Sequence, residues 1–145
     1  MISSISIHHL EALQLLKQNN LPVDDLSAST ELFAIQNDGA ISGLIGIELY
    51  ASTALIRSFV VRKEERDKGI GKKLIHFIEE YARDKRVMHL FLITTTAGDY
   101  FSNMEYRAID RADVPEEIRA STEFSTTCPA TALVMTKSLH DDEVT

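Results

Sequence analysis

Arg62-Lys63-Glu64-Glu65-Arg66-Asp67-Lys68-Gly69-Ile70-Gly71-Lys72-Lys73 is the stretch on which the reading of this chain turns. It holds six cations and three anions in twelve residues, inside a chain whose formal net charge is −7. The apolar segment before it, Thr53–Val61, predicts a strand. After it, Ile70, Leu74, Phe77, Ile78, Tyr81 and Ala82 recur with the 3.6-residue period, with Lys73, Glu79, Glu80 and Arg83 between them. A long amphipathic helix therefore starts at the glycines. Its first turn carries N–H groups without intrahelical partners and the positive end of the helix dipole. Gly69 and Gly71 let a ligand approach that backbone, which makes an anion site suited to a pyrophosphate. The other reading is a solvated charged loop whose glycines serve only to turn.

Outward from this segment the pattern is a meander followed by a crossover. Residues 2–7 alternate as a strand, and 8–19 carry Leu10, Ala12, Leu13 and Leu16 at helical spacing, stopped by Asn19-Asn20 ahead of Pro22. Residues 31–36 predict a strand, Asn37-Asp38-Gly39 a tight turn, and 40–49 the returning strand, with Gly43 and Gly46 as thin spots or a bulge. Beyond the long helix, 87–95 predict a strand buried on both faces. A short helix at 98–104, a strand at 106–110, a helical turn opened by Pro115 and a last strand at 131–138 follow. The expected fold is α+β: a mixed, mostly antiparallel sheet of six or seven strands flanked by helices. A single domain over 1–138 with an acidic, frayed tail at 139–145 is expected.

Composition removes several classes of function. The 145 residues are close to the ~150 of one ordinary domain, and 44% apolar with 26% charged is a globular balance. No apolar run approaches the ~18 residues of a membrane span, and Met1-Ile2-Ser3-Ser4 lacks a signal-peptide pattern. One cysteine builds neither an internal disulfide nor a thiolate zinc site, and the histidines show no ligand spacing, so no metal is expected. Fifteen basic against twenty-two acidic residues argue against a nucleic-acid partner. The compartment reads as cytoplasm, with no membrane partner.

Two phosphate motifs do not fit. A Walker loop has a Gly where Arg66 stands and a Ser or Thr where Lys73 stands, and the dinucleotide fingerprint has a Gly where Leu74 stands. What fits is Arg66-Asp67-Lys68-Gly69-Ile70-Gly71, which resembles motif A (Gln/Arg-x-x-Gly-x-Gly/Ala) of the GCN5-related N-acetyltransferase (GNAT) superfamily. Gly43-Leu44-Ile45-Gly46-Ile47-Glu48, Arg57-Ser58, Leu92-Ile93-Thr94-Thr95-Thr96-Ala97 and Glu123-Phe124…Cys128-Pro129-Ala130 are similar to the small acetyltransferases associated with bacterial arsenic-resistance genes. Those in turn resemble the acetyltransferase domain of N-acetylglutamate synthase. The resemblance implies acetyl-CoA as cosubstrate and a small primary amine as acceptor, with amino-acid-like amines among the candidates. Any arsenic link is analogy alone. It also implies a pyrophosphate on Arg66, Asp67, Lys68, Gly69, Ile70, Gly71 and Lys72, and a pantetheine arm pairing along Phe59, Val60 and Val61. Family members are often dimers, so a homodimer is one expected assembly.

Direct acetyl transfer requires a free amine, a base for its proton and a proton for the departing thiolate. Positioning alone supplies roughly 7–11 kcal/mol, and a base adds about 10²–10⁴-fold. By resemblance, Glu48 is the base, directly or through water; otherwise it is an edge carboxylate facing solvent or paired with Arg57. Arg57 and Ser58 precede the pantetheine segment, where Arg57 either clamps a substrate carboxylate or forms a sheet-surface salt bridge. The family often places a proton-donating tyrosine four residues after the alanine that opens the short helix. Counted from Ala97 that position is Phe101, grouped here with the cofactor residues, and Tyr100 is ~100° away around the helix. Tyr100 remains the candidate acid. The family's Gly-Phe after this helix is Glu105-Tyr106, which asks Glu105 for a left-handed cap. The hydroxyl of Thr94 ends a buried strand or reaches the pantetheine amides. Glu123 and Cys128 lie in the segment that lines the acceptor side; a loop carboxylate and a small buried thiol are their plainer readings. No cysteine or serine sits in a recognisable nucleophile motif. The alternative function is a non-catalytic acyl-CoA-binding or sensing module.

Overall fold

A computed structural model of the chain describes residues 2–121 and 132–139. The elements run β1 (Ile2–Ile5), α1 (Leu10–Gln18), β2 (Thr30–Asn37), β3 (Ala40–Tyr50), β4 (Thr53–Val61), α2 (Ile70–Asp84), β5 (His89–Thr94), α3 (Gly98–Ser102), β6 (Arg107–Ile109), α4 (Glu116–Arg119) and β7 (Leu133–Ser138). The seven strands form one sheet in the order β1-β2-β3-β4-β5-β7-β6. β4 and β5 pair in parallel, while β1–β2, β2–β3, β5–β7 and β6–β7 are antiparallel. This is the mixed, mostly antiparallel sheet that the pattern predicts. No helix among the described residues is long and apolar enough to cross a membrane.

The boundaries shift from the sequence reading for local reasons. β1 stops at Ile5 because the Ser6 carbonyl and hydroxyl accept from the His9 and His8 amides, which turns the chain. α1 begins at Leu10, with His9 as its cap and the Ala12 amide donating to Nδ1. It closes on a left-handed Asn20 (φ 61°), with the Leu21 amide returning to the Leu16 carbonyl. Asp38 and Gly39 both have positive φ (53° and 81°), the geometry of a two-residue hairpin turn. The late elements are shorter than expected: β5, α3, β6 and β7 each lose residues at their ends.

The chain divides into two compact units. In the first, built from 1–48 and 57–81, Ala12, Leu15 and Leu16 of α1 pack with Ala34, Ile41, Leu44 and Val60. Gly43 is a close-approach position: a Cβ there would meet the Leu74 Cδ1 at 2.9 Å and the Ile70 Cγ2 at 3.1 Å, so α2 lies directly on β3. In the second unit, from 49–56 and the described residues beyond 81, Leu55, Phe91, Val114, Ile118 and Val134 form the core. On α2 the polar positions divide differently from the periodic reading, since Glu79 is buried. It stands four residues after the buried Ile75, on the same face.

Tyr81 of α2 donates a hydrogen bond to Glu31 of β2 and packs edge-on against Phe33. Burial first, then the hydrogen bond and charge of Glu31, push its phenol from 10.0 up to about 12. The unfolded chain ionises this group at its ordinary value while the folded chain keeps the proton. Stability present below pH 10 is therefore lost as pH rises through about 12. Phenolate absorbance followed through that window in the wild type and in Glu31→Gln should show one tyrosine moving to lower pH in the variant. An unmoved titration would break the link.

Candidate active site

The loop after β4 is held at both ends. Arg62 turns back, its amide donating to the Ser42 carbonyl (2.7 Å), its Nε to the Ile41 carbonyl (2.8 Å) and its Nη2 to Glu11 (3.0 Å). Arg62 thus ties α1 to the hairpin. Arg66 is exposed, with Nε on the Val61 carbonyl (3.0 Å) and Nη2 on the Asn19 side chain (3.3 Å). Asp67 and Gly69 both take left-handed backbone, φ 67° and 79°. Gly69 supplies conformation rather than room, because a Cβ there would meet nothing within 4 Å. The two reversals deliver the chain into α2 at Ile70, with Gly71, Lys72 and Lys73 in its first turn and both lysines exposed. Lys68 reaches Glu65 at 3.4 Å. Open backbone, a helix N-terminus and Arg66, Lys68 and Lys72 standing in solvent meet the requirements of an anion cradle.

β4 carries the second feature. Its registered pairs with β5 are Thr53–Leu55 with His89–Phe91, although β4 runs on to Val61. Ser58, buried within the strand, has φ 56°, a left-handed residue in extended surroundings. Gly46 of β3 makes room for it: a Cβ there would lie 3.2 Å from the Arg57 carbonyl and 3.4 Å from the Ser58 Cβ. Beyond Ser58, Val60 points into the core of the first unit, and Phe59 and Val61 are half-buried.

A buried polar cluster surrounds this position. The Arg57 side chain is 0% exposed. Its Nη1 donates to Glu48 (2.9 Å) and to Asp25 (3.1 Å), its Nη2 to Asp25 (2.5 Å) and its Nε to the Ser58 hydroxyl (3.2 Å). The Thr30 hydroxyl donates to the same Glu48 oxygen at 2.9 Å. Glu48 is therefore no solvent-facing edge carboxylate, and the Arg57 pairs are not a sheet-surface bridge. Buried among apolar strand residues, a guanidinium requires carboxylates around it.

In the second unit Ala97 caps α3, its own amide donating to the Thr94 hydroxyl at 2.9 Å. The Phe101 amide returns to the Ala97 carbonyl, so the count from Ala97 stands. Phe101 is the inward residue, packed edge-on against Tyr106, and Tyr100 is exposed, its phenol pushed up by partial burial. Glu105 does take the left-handed conformation (φ 76°). Glu123 and Cys128 lie outside the described residues.

Residues 6–104 match the model of the Acetyltransferase (GNAT) family. The chain belongs to this family. An N-acetyltransferase of Chlorobaculum tepidum, itself uncharacterised, is 32% identical over 89 residues, 61% of this chain and 57% of that one. An amino-acid acetyltransferase of Neisseria meningitidis is 24% identical over 92 residues, 62% of this chain and 21% of that one. The matched stretch is thus a little over half of the first relative and a fifth of the second. Among solved structures, N-acetylglutamate synthase of Neisseria gonorrhoeae, complexed with coenzyme A and N-acetylglutamate, superposes with a TM-score of 0.76 at 17% identity. That superposition covers 97% of this chain and 36% of that one, and it shows that the GNAT fold is shared.

Within this GNAT fold the structure brings Glu48, Arg57 and Ser58 together and adds Asp25 and Thr30, which sequence reasoning missed. The available signal was chemical: an arginine on an apolar strand needs carboxylates, and Asp24-Asp25 is an acidic pair in an otherwise uncharged connection.

Proposed function

We propose that this chain is an acetyl-CoA-dependent N-acetyltransferase that moves an acetyl group directly to the primary amine of a small acceptor. The observation that carries the reading is the loop of Arg66 to Gly71, whose left-handed Asp67 and Gly69 open the backbone ahead of α2 on a family motif. In this reading Arg66, Lys68, Lys72 and the amides of the loop and first turn hold the pyrophosphate. The backbone of Phe59, Val60 and Val61, past the end of the β4–β5 ladder, pairs with the pantetheine arm. By the resemblance, Thr94 and Phe101 are the remaining cofactor residues. Glu48 takes the proton from the amine, directly or through a water, and Thr30 and Arg57 hold its carboxylate in place. Tyr100 is the group offered as proton source for the thiolate. The matching segments around Glu48, Arg57 and Thr94 favour, within the family, the small acetyltransferases associated with arsenic-resistance genes and an amino-acid-like acceptor.

Thermal unfolding with and without acetyl-CoA tests the donor site. At about 100 times its dissociation constant the ligand adds roughly 2.7 kcal/mol, which raises the midpoint by about 5–10 °C. An Arg66→Ala, Gly71→Glu variant should keep its own midpoint and lose that rise. A wild type that shows no rise removes the reading. The second reading, an acyl-CoA-binding module without turnover, is favoured by Phe101, which is buried where a hydroxyl would serve as acid.

A further inference from the structure

The arginine of the donor loop is held from outside its own loop. Arg66 is exposed, yet its guanidinium rests on two acceptors, the Val61 carbonyl at 3.0 Å and the Asn19 side-chain oxygen at 3.3 Å. Asn19 closes α1, and its Nδ2 donates to the Leu15 carbonyl at 2.9 Å. That bond orients the amide: its nitrogen faces a carbonyl, so its oxygen is turned to the guanidinium. The helix beneath is a firm base. Leu15 and Leu16 are buried in the core of the first unit, and at the other end of α1 Glu11 accepts from the Ile41 amide (2.9 Å) and from Arg62 (3.0 Å). The acceptor is also neutral. A carboxylate in its place would pair with the guanidinium and spend the charge that a phosphate needs, whereas an amide oxygen orients Arg66 and leaves that charge whole. Nη1 has no acceptor among the described residues and is left for an anion.

We propose that Asn19 is a positioning residue for the donor, fixing the Arg66 guanidinium before the pyrophosphate arrives. The proposal rests on the reading of the Arg66–Gly71 loop as the pyrophosphate site and extends it to α1. A freely rotating arginine loses rotamer freedom when it clamps an anion, and one already ordered by two acceptors loses less.

The test measures dissociation constants for CoA by titration calorimetry on the wild type, Asn19→Ala, Asn19→Ser, Arg66→Ala and the double variant Asn19→Ala, Arg66→Ala. Serine keeps a hydroxyl for the Leu15 carbonyl but is too short to meet Arg66, so it separates the helix end from the arginine. Both Asn19 variants should bind CoA about three- to tenfold more weakly than the wild type. In the Arg66→Ala background, Asn19→Ala should change the constant by less than about twofold. An Asn19→Ser that binds as the wild type overturns the proposal, because the residue then acts only on its own helix. A loss that persists undiminished in the Arg66→Ala background overturns it too. If Asn19→Ala does not fold, Asn19→Ser takes its place in the cycle. A wild type that binds CoA with both Asn19 variants unchanged overturns this proposal alone. A wild type that does not bind CoA overturns the loop reading and this proposal with it.

Discussion

Arg57→Met lowers the unfolding free energy by about 3–5 kcal/mol, the range for breaking a buried ion pair by removing one partner. The side chain is fully buried, and Glu48 and Asp25 are nearly so, which leaves little water to take over the charge of either carboxylate. Arg57→Lys keeps the charge but not the planar fork that serves both oxygens of Asp25, so it falls between the two. The same Arg57→Met change in an Asp25→Asn, Glu48→Gln background should cost much less, because neither of these two carboxylates is then stranded. Urea unfolding of the wild type and these four variants decides the matter, with m unchanged across the set. A loss below about 1 kcal/mol in the single variant would mean that the cluster is open to water in solution.

The elements that were legible are those in which one local rule acts alone. Asn37-Asp38-Gly39 specifies a turn needing two positive φ angles, and the structure has them at Asp38 and Gly39. The period of Ile70, Leu74, Ile78 and Ala82 specifies one buried face of α2, and all four are buried. Periodicity marks a direction and not the width of the contact, so Glu79 passed as solvated. Ser58 was not legible as a left-handed residue. Serine has no preference for that region, and the backbone there lies close to Gly46 on the neighbouring strand, where a Cβ would crowd it. Gly46 itself did read as a thin spot, without saying for what. Asp25 sits in an aperiodic stretch, and its pairing with Arg57 spans 32 residues, a contact that only the assembled sheet creates. Glu105 was legible by comparison with a family pattern, since a glycine position occupied by glutamate still has to turn.

The same geometry sets the expected size of the catalytic effect at Glu48. Glutamine has the shape of glutamate and keeps an oxygen for the Thr30 hydroxyl and for Arg57, so Glu48→Gln preserves the packing of the cluster. What it removes is the carboxylate's ability to accept a proton from the amine. Loss of a general base costs about 10²–10⁴-fold in rate, so kcat with the preferred amine should fall by at least roughly a hundredfold. The donor loop, which belongs to a different stretch of the chain, is untouched, so the midpoint rise with acetyl-CoA should persist. That pairing of outcomes separates an enzyme from a binding module: a module shows the rise in both proteins and turnover in neither. A variant with full kcat and a full rise would show that amines reach the thioester already deprotonated. Positioning by β4 and the loop would then carry the whole rate.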